Sequence, residues 1–124
     1  MEFKKVAILG GGVLGTQIAM QSAYCGKDVT IWLRSEDSKT RTQPKLDRLY
    51  GVDEKTLEQM NKTKAPADLC GGLADSYETF DYADCMKRAQ DAKNHITLTT
   101  DMAEAVKDAD IIIGDRIRTS GVNS

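Results

Sequence analysis

Val6-Ala7-Ile8-Leu9-Gly10-Gly11-Gly12-Val13-Leu14-Gly15 decides the fold, because an apolar run enters a glycine turn that opens a helix. Lys4 to Leu9 has the composition of a short strand buried on both faces. Gly10, Gly12 and Gly15 stand at the G-x-G-x-x-G spacing, and each meets a separate physical need. The first allows a tight turn, the second lets backbone approach a pyrophosphate, and the third lets the helix pack closely on the strand. The helix N-terminus adds unpaired N–H groups and the positive end of its dipole, both suited to phosphate.

Reading outward, Val13 to Cys25 is helical in pattern, with Leu14, Ile18, Ala19, Ser22 and Cys25 near one face. Gly26 fits the position just past a helix end, where glycine most easily takes a left-handed backbone. Asp28 to Leu33 follows as a second strand, with Val29, Ile31 and Leu33 on one face and Thr30 and Trp32 on the other. The unit closes in about thirty residues, the length expected of a βαβ crossover. A lone glycine motif is weak evidence, but one set between a strand and a helix, with a second strand on schedule, is strong. The segment therefore reads as a Rossmann-type nucleotide-binding half.

Farther on, Lys45 to Tyr50 and Asp53 to Met60 look like two charged helices, with Leu46, Leu49, Leu57 and Met60 as core contacts. Pro66 and Gly71-Gly72 break the pattern. Leu73 to Lys93 reads as one long solvent-bridging helix with Tyr77, Phe80, Asp84 and Arg88 along a stripe. Ile96-Thr97-Leu98-Thr99 is a β-branched strand, Thr100 or Asp101 caps a helix running through Lys107, and Glu104 holds a capping-box position. Asp108-Ala109-Asp110 makes a turn into Ile111-Ile112-Ile113, a run suited to a buried strand. The expected architecture is α/β, a partial doubly wound parallel sheet of about four strands in the order 3-2-1-4. Residues 1–113 form the dinucleotide-binding domain, with a helical excursion over 35–93, and 114–124 form a tail. Ligand belongs outside the carboxyl ends of strands one and four. The apolar fourth strand lies at an edge, which favours a homo-oligomer.

The chain has 124 residues, 40% of them hydrophobic and 29% charged, with a formal net charge of −2. That balance, with no basic stripe, argues against nucleic acid as a partner. Cys25, Cys70 and Cys85 form no C-x-x-C pair, so neither a disulfide framework nor a metal site is expected. Val6 to Leu9 is too short for a signal-peptide core, and no segment reaches the ~20 apolar residues of a membrane helix. A cytoplasmic protein is the expectation. The one histidine, His95, precedes a short strand and reads as a surface or strand-edge residue. Ser22 and Cys25 on the first helix read as packing or surface groups.

The tip of the second strand selects the dinucleotide. An Asp or Glu there accepts hydrogen bonds from the adenosine ribose hydroxyls of NAD. Here Leu33 is followed by Arg34-Ser35, and arginine pairs a 2′-phosphate through its planar fork of donors. Lys39 and Arg41 add charge. The local residues thus favour NADP, with Glu36 or Asp37 turned back to the ribose as the alternative. The expected cofactor-binding set is Gly10, Gly12, Val13, Leu14, Gly15, Leu33, Arg34 and Ser35, with no catalytic or metal-binding residue.

Val6 to Gly26, VAILGGGVLGTQIAMQSAYCG, resembles the opening of the 3-hydroxyacyl-CoA dehydrogenase family, G-x-G-x-[ML]-G-x-x-I-A. ITLTTD at Ile96 to Asp101 and MAEAVKDADIII at Met102 to Ile113 resemble its later strand, helix and strand. The helical middle fits the excursion that this family inserts after its second strand. The resemblance implies hydride transfer between NAD(P) and the 3-hydroxyl or 3-keto group of an acyl-CoA. The family default is NAD, with an acidic residue where Leu33 stands. Its His–Glu pair, Ser and Asn lie beyond Ile113, so the chain alone is expected to be inactive and acyl-CoA to bind only in a full-length enzyme. Gly114 to Ser124 departs from the family's Glu-Ala-hydrophobic-Pro-Glu continuation. Two alternatives stand beside this reading: a ketopantoate- or glycerol-3-phosphate-type NADP reductase, and a stand-alone nucleotide-sensing module without catalysis.

Overall fold

The computed structural model describes residues 4–114. Four parallel strands, β1 (Lys5–Leu9), β2 (Asp28–Trp32), β3 (Ile96–Thr99) and β4 (Ile111–Gly114), form one sheet in the order β3-β2-β1-β4. The expected order is thus the one found. Val6 is in register with Val29 and Ile111, and Ile8 with Ile31 and Ile113. Ile96 and Leu98 continue those two rows on β3. These residues make one apolar face, covered by Ala19, Met20 and Ala23 of α1 (Val13–Tyr24) and by Leu46 and Tyr50 of α2 (Glu36–Thr63).

The buried face of α1 is Gly15, Thr16, Ala19, Met20, Ala23 and Tyr24, rotated about one residue from the expected stripe. Leu14 is 43% exposed and Cys25 is exposed. The helix is apolar over much of its girth, so small side chains decide which side meets the sheet, because they permit the closest approach. Gly26 has φ +89 and ends the helix as expected.

The middle differs most from expectation. α2 is one helix of 28 residues, running through Pro44 and Gly51. Ser35 caps it, its Oγ accepting the Ser38 N–H at 3.2 Å. Leu46, Leu57 and Met60 are buried and Leu49 partly so, as the sequence indicated. Leu73 to Lys93 is not one helix. Turns and bends occupy much of 71–79, Asp81 caps α3 (Tyr82–Asp91) by accepting the Asp84 N–H, and a 3-10 turn over Ala92–His95 follows. Nor is it solvent-bridging: Leu73, Cys85 and Ala89 pack with Tyr24, Leu57 and Met60 in a second apolar cluster. The Tyr24 hydroxyl donates to the Leu73 carbonyl at 2.8 Å, holding the turn against α1.

Asp101 caps α4 (Met102–Val106), accepting the Glu104 N–H at 3.2 Å. The capping box is rerouted: Asp101 N–H donates to Thr99 Oγ1, which donates to Glu104 Oε1 at 2.9 Å. Asp110 accepts the N–H groups of Lys4 and Lys5 at 2.8 and 2.9 Å, and these bonds hold its carboxyl below its ordinary value. β4 runs through Gly114 at the edge of the described sheet, as expected, with Ile111 and Ile113 half-buried against the core and Ile112 51% exposed. The tail proposed for 114–124 lies, apart from Gly114, outside the described residues.

Candidate functional site

The carboxyl ends of β1, β2 and β4 open into a cleft of about 570 Å³, a size in the range of small-molecule sites. The glycine loop forms its floor. Gly10 has φ +119, a conformation that favours glycine, and its N–H donates to the Trp32 carbonyl at 2.8 Å, tying the loop to the tip of β2. Gly12 is extended and begins α1, and no side chain caps it. The first-turn N–H groups therefore keep their capacity to bind an anion. Gly11 is a close approach in the loop: a Cβ there would lie 2.7 Å from Leu33 Cδ2 and collide with Thr42 Oγ1.

Of the residues singled out from sequence, Gly10, Gly12, Leu33 and Arg34 line the cleft. Leu33 is only 2% exposed and gives the floor an apolar patch, its N–H taken by the Thr99 carbonyl. Arg34 is exposed and has no hydrogen-bond or ion-pair partner among the described residues. Val13 and Leu14 flank the first turn of α1 with 68% and 43% exposure, and Gly15 is buried against the sheet. Ser35 is occupied as the cap of α2 and does not line the cleft. Lys39 turns to Glu36 at 3.4 Å, and Glu36 also accepts from Thr100, so neither joins the wall.

Sequence reasoning missed most of the opposite wall. Ser38, Arg41, Thr42 and Lys45 project from one face of α2 into the cleft. Of these only Arg41 had been noted. Their spacing, i, i+3, i+4 and i+7, is a helical stripe, legible only if α2 is taken as continuous through Pro44. No carboxylate lines the cleft among the described residues.

His95 sits at the other edge of the sheet. It precedes β3 and pairs through Nδ1 with Asp28 Oδ1 at 2.9 Å, at the amino end of β2. Among the described residues no group of three or more His, Cys, Asp or Glu could hold a metal, and no helix is long and apolar enough to cross a membrane.

Residues 5–115 match the family described as 3-hydroxyacyl-CoA dehydrogenase, NAD binding domain. Among solved structures, a diketoreductase is 28% identical with a TM-score of 0.64, over 96% of this chain and 34% of that one. (S)-3-hydroxybutyryl-CoA dehydrogenase from Ralstonia eutropha shares the fold at 20% identity and a TM-score of 0.57, over 99% of this chain and 33% of that one. Glycerol-3-phosphate dehydrogenase [NAD(P)+] of Bradyrhizobium diazoefficiens is 42% identical over 52 residues, 40% of this chain and 16% of that protein. The chain thus spans about a third or less of the length of each.

Proposed function

The chain belongs to the 3-hydroxyacyl-CoA dehydrogenase family through its NAD-binding domain, and from that premise we propose that its cleft holds NADP in preference to NAD. A nicotinamide dinucleotide is the cofactor of this domain. The observation that carries the preference is Arg34, exposed and unpaired among the described residues at the tip of β2, in a cleft whose described lining has no carboxylate. A ribose 2′,3′-diol has no carboxylate acceptor among the described lining, whereas a 2′-phosphate has a fork of donors. Gly10 and Gly12 admit the pyrophosphate, and the first turn of α1, from Val13 through Gly15, meets it with N–H groups. Ser35 contributes by holding the start of α2 beside Arg34.

When bound, the cofactor accepts or returns a hydride at its nicotinamide ring. In the whole protein the hydride partner is the 3-hydroxyl or 3-keto group of an acyl-CoA. This chain supplies the cradle and not the base, since its one histidine lies at the opposite edge of the sheet. The match to glycerol-3-phosphate dehydrogenase over 52 residues favours a second reading, an oxidoreductase that interconverts a small phosphorylated alcohol and its ketone with the same cradle. The partly exposed β4, paired only with β1 among the described residues, is the surface through which the chain self-associates.

Titration with NADPH and NADH, followed by the emission of the single tryptophan, Trp32, in the cleft wall, tests the cofactor reading. Tighter NADPH binding is expected, and Arg34→Asp should reverse the order; tighter NADH binding by the unaltered chain would overturn it. Light scattering over a range of concentrations should give a mass that rises above the monomer, and a constant monomer mass would refute self-association.

A further inference from the structure

We infer that α2 carries a phosphomonoester site of its own, in which Arg41 and Lys45, with Ser38 one turn before Arg41, read the phosphate on the adenosine ribose. The inference rests on the NADP reading above and extends it from the tip of β2 to the facing helix. Thr42 is 3% exposed and seated on Gly11, so α2 is registered on the glycine loop and its neighbouring side chains are placed relative to it. Lys45 Nζ donates to the Gly11 carbonyl at 3.2 Å, which brings an ammonium directly over the loop. Arg41 Nη2 donates to Ser38 Oγ at 3.0 Å, so its guanidinium lies along the same wall.

Neither cation is neutralised among the described residues. Ion pairs there join Lys39 to Glu36, Arg88 to Asp84 and His95 to Asp28. Of the nearby acids of α2, Glu36 takes Lys39 and Thr100, Asp47 accepts from Gln43 Nε2 at 3.0 Å, and neither they nor Asp37 lines the cleft. With Arg34, three positive charges thus face one cleft without a carboxylate among its described lining. A neutral diol gains no charge pairing from such an arrangement. A phosphate dianion gains a planar fork from arginine and a point charge from lysine. The same chemistry is offered by a ribose 3′-phosphate, as in coenzyme A, and the site commits here to the 2′ position because Arg34 stands where the ribose hydroxyls of a dinucleotide arrive.

The test titrates the full chain with 2′,5′-ADP, 3′,5′-ADP and 5′-ADP, read by Trp32 emission. Lys45→Met and Arg41→Met should each weaken 2′,5′-ADP about tenfold, as expected for a lost hydrogen bond to a charged group. Binding of 5′-ADP should stay within about twofold on the same grounds, and Lys45→Arg should keep most of the preference. Equal losses for 2′,5′-ADP and 5′-ADP would mean that Lys45 only props the loop through Gly11, and would overturn the site. So would tighter binding of 3′,5′-ADP. If the unaltered chain prefers 2′,5′-ADP and only Arg34→Asp removes that preference, the NADP reading stands and the α2 site falls. Without any preference for 2′,5′-ADP over 5′-ADP, both fall.

Discussion

Gly11 is the unnamed glycine of the motif, and the structure gives it a tight steric demand. The G-x-G-x-x-G pattern assigns it no role, because the pattern concerns the pyrophosphate and the first helix. Its neighbours are Thr42 and Leu33, which arrive from α2 and β2, so the demand is tertiary and invisible to local reading. Gly11→Ala should therefore lower stability by about 1–3 kcal/mol, the usual cost of an inserted methyl in a packed site. The double variant with Thr42→Ala, which removes the clashing hydroxyl and methyl, should recover part of that loss in a thermal melt. Full additivity of the two changes would show that they do not touch. Arg34 and Leu33 were legible at this scale because a strand tip is located by its own alternation. Ser35 carries a role that the strand-tip pattern does not give: a serine before Glu36-Asp37 also fits a helix cap, and that is where its oxygen goes.

At the scale of elements, β1, the glycine loop, α1 and β2 were legible because each is bounded by its own local signal: glycine, apolar alternation, glycine again. α2 was not, because Pro44 and Gly51 divide it on paper. Pro44 is exposed, as is Thr40, whose carbonyl loses its partner to the proline and can turn to water. The continuous stripe Thr42, Leu46, Tyr50, Leu57 and Met60 then holds the helix together by burial, against local propensity. The Leu73–Lys93 stretch failed in the opposite direction. Its helical-looking stripe begins in turns that are packed by Leu73 and by the edge-on contact of Tyr77 with Phe80. Gly51 tests this account. It lies inside α2 at an ordinary negative φ, and a Cβ there would meet nothing within 4 Å. Gly51→Ala should raise the stability by about 0.5–1 kcal/mol through lost chain entropy in the unfolded state. A denaturant midpoint unchanged or lowered would show that α2 is interrupted at that point.

For the whole molecule, α2 is the beam that joins two cores. At about 1.5 Å per residue it is long enough to reach from the cleft, through Arg41 and Lys45, to the second cluster, through Leu57 and Met60. Asp53 falls between these ends, on the inward stripe between Tyr50 and Leu57, and there its carboxyl loses water. Burial raises it from 3.8 to about 6. A carboxyl whose native value lies above its unfolded value favours folding only while it is protonated. The penalty is thus absent below about pH 4, grows between pH 4 and 6, and is complete above pH 6. Because the group keeps part of its hydration, the cost at neutral pH is about 1 kcal/mol and not the full equivalent of the shift. Asp53→Asn should accordingly stabilise the chain at pH 8 and leave it unchanged at pH 4, with the denaturant slope preserved. A gain of the same size at both pH values would trace the effect to packing instead of charge. Since Asp53 is remote from the cleft lining, NADPH affinity at pH 8 should be unaltered in the same variant, which separates the stability of the beam from the chemistry at its end.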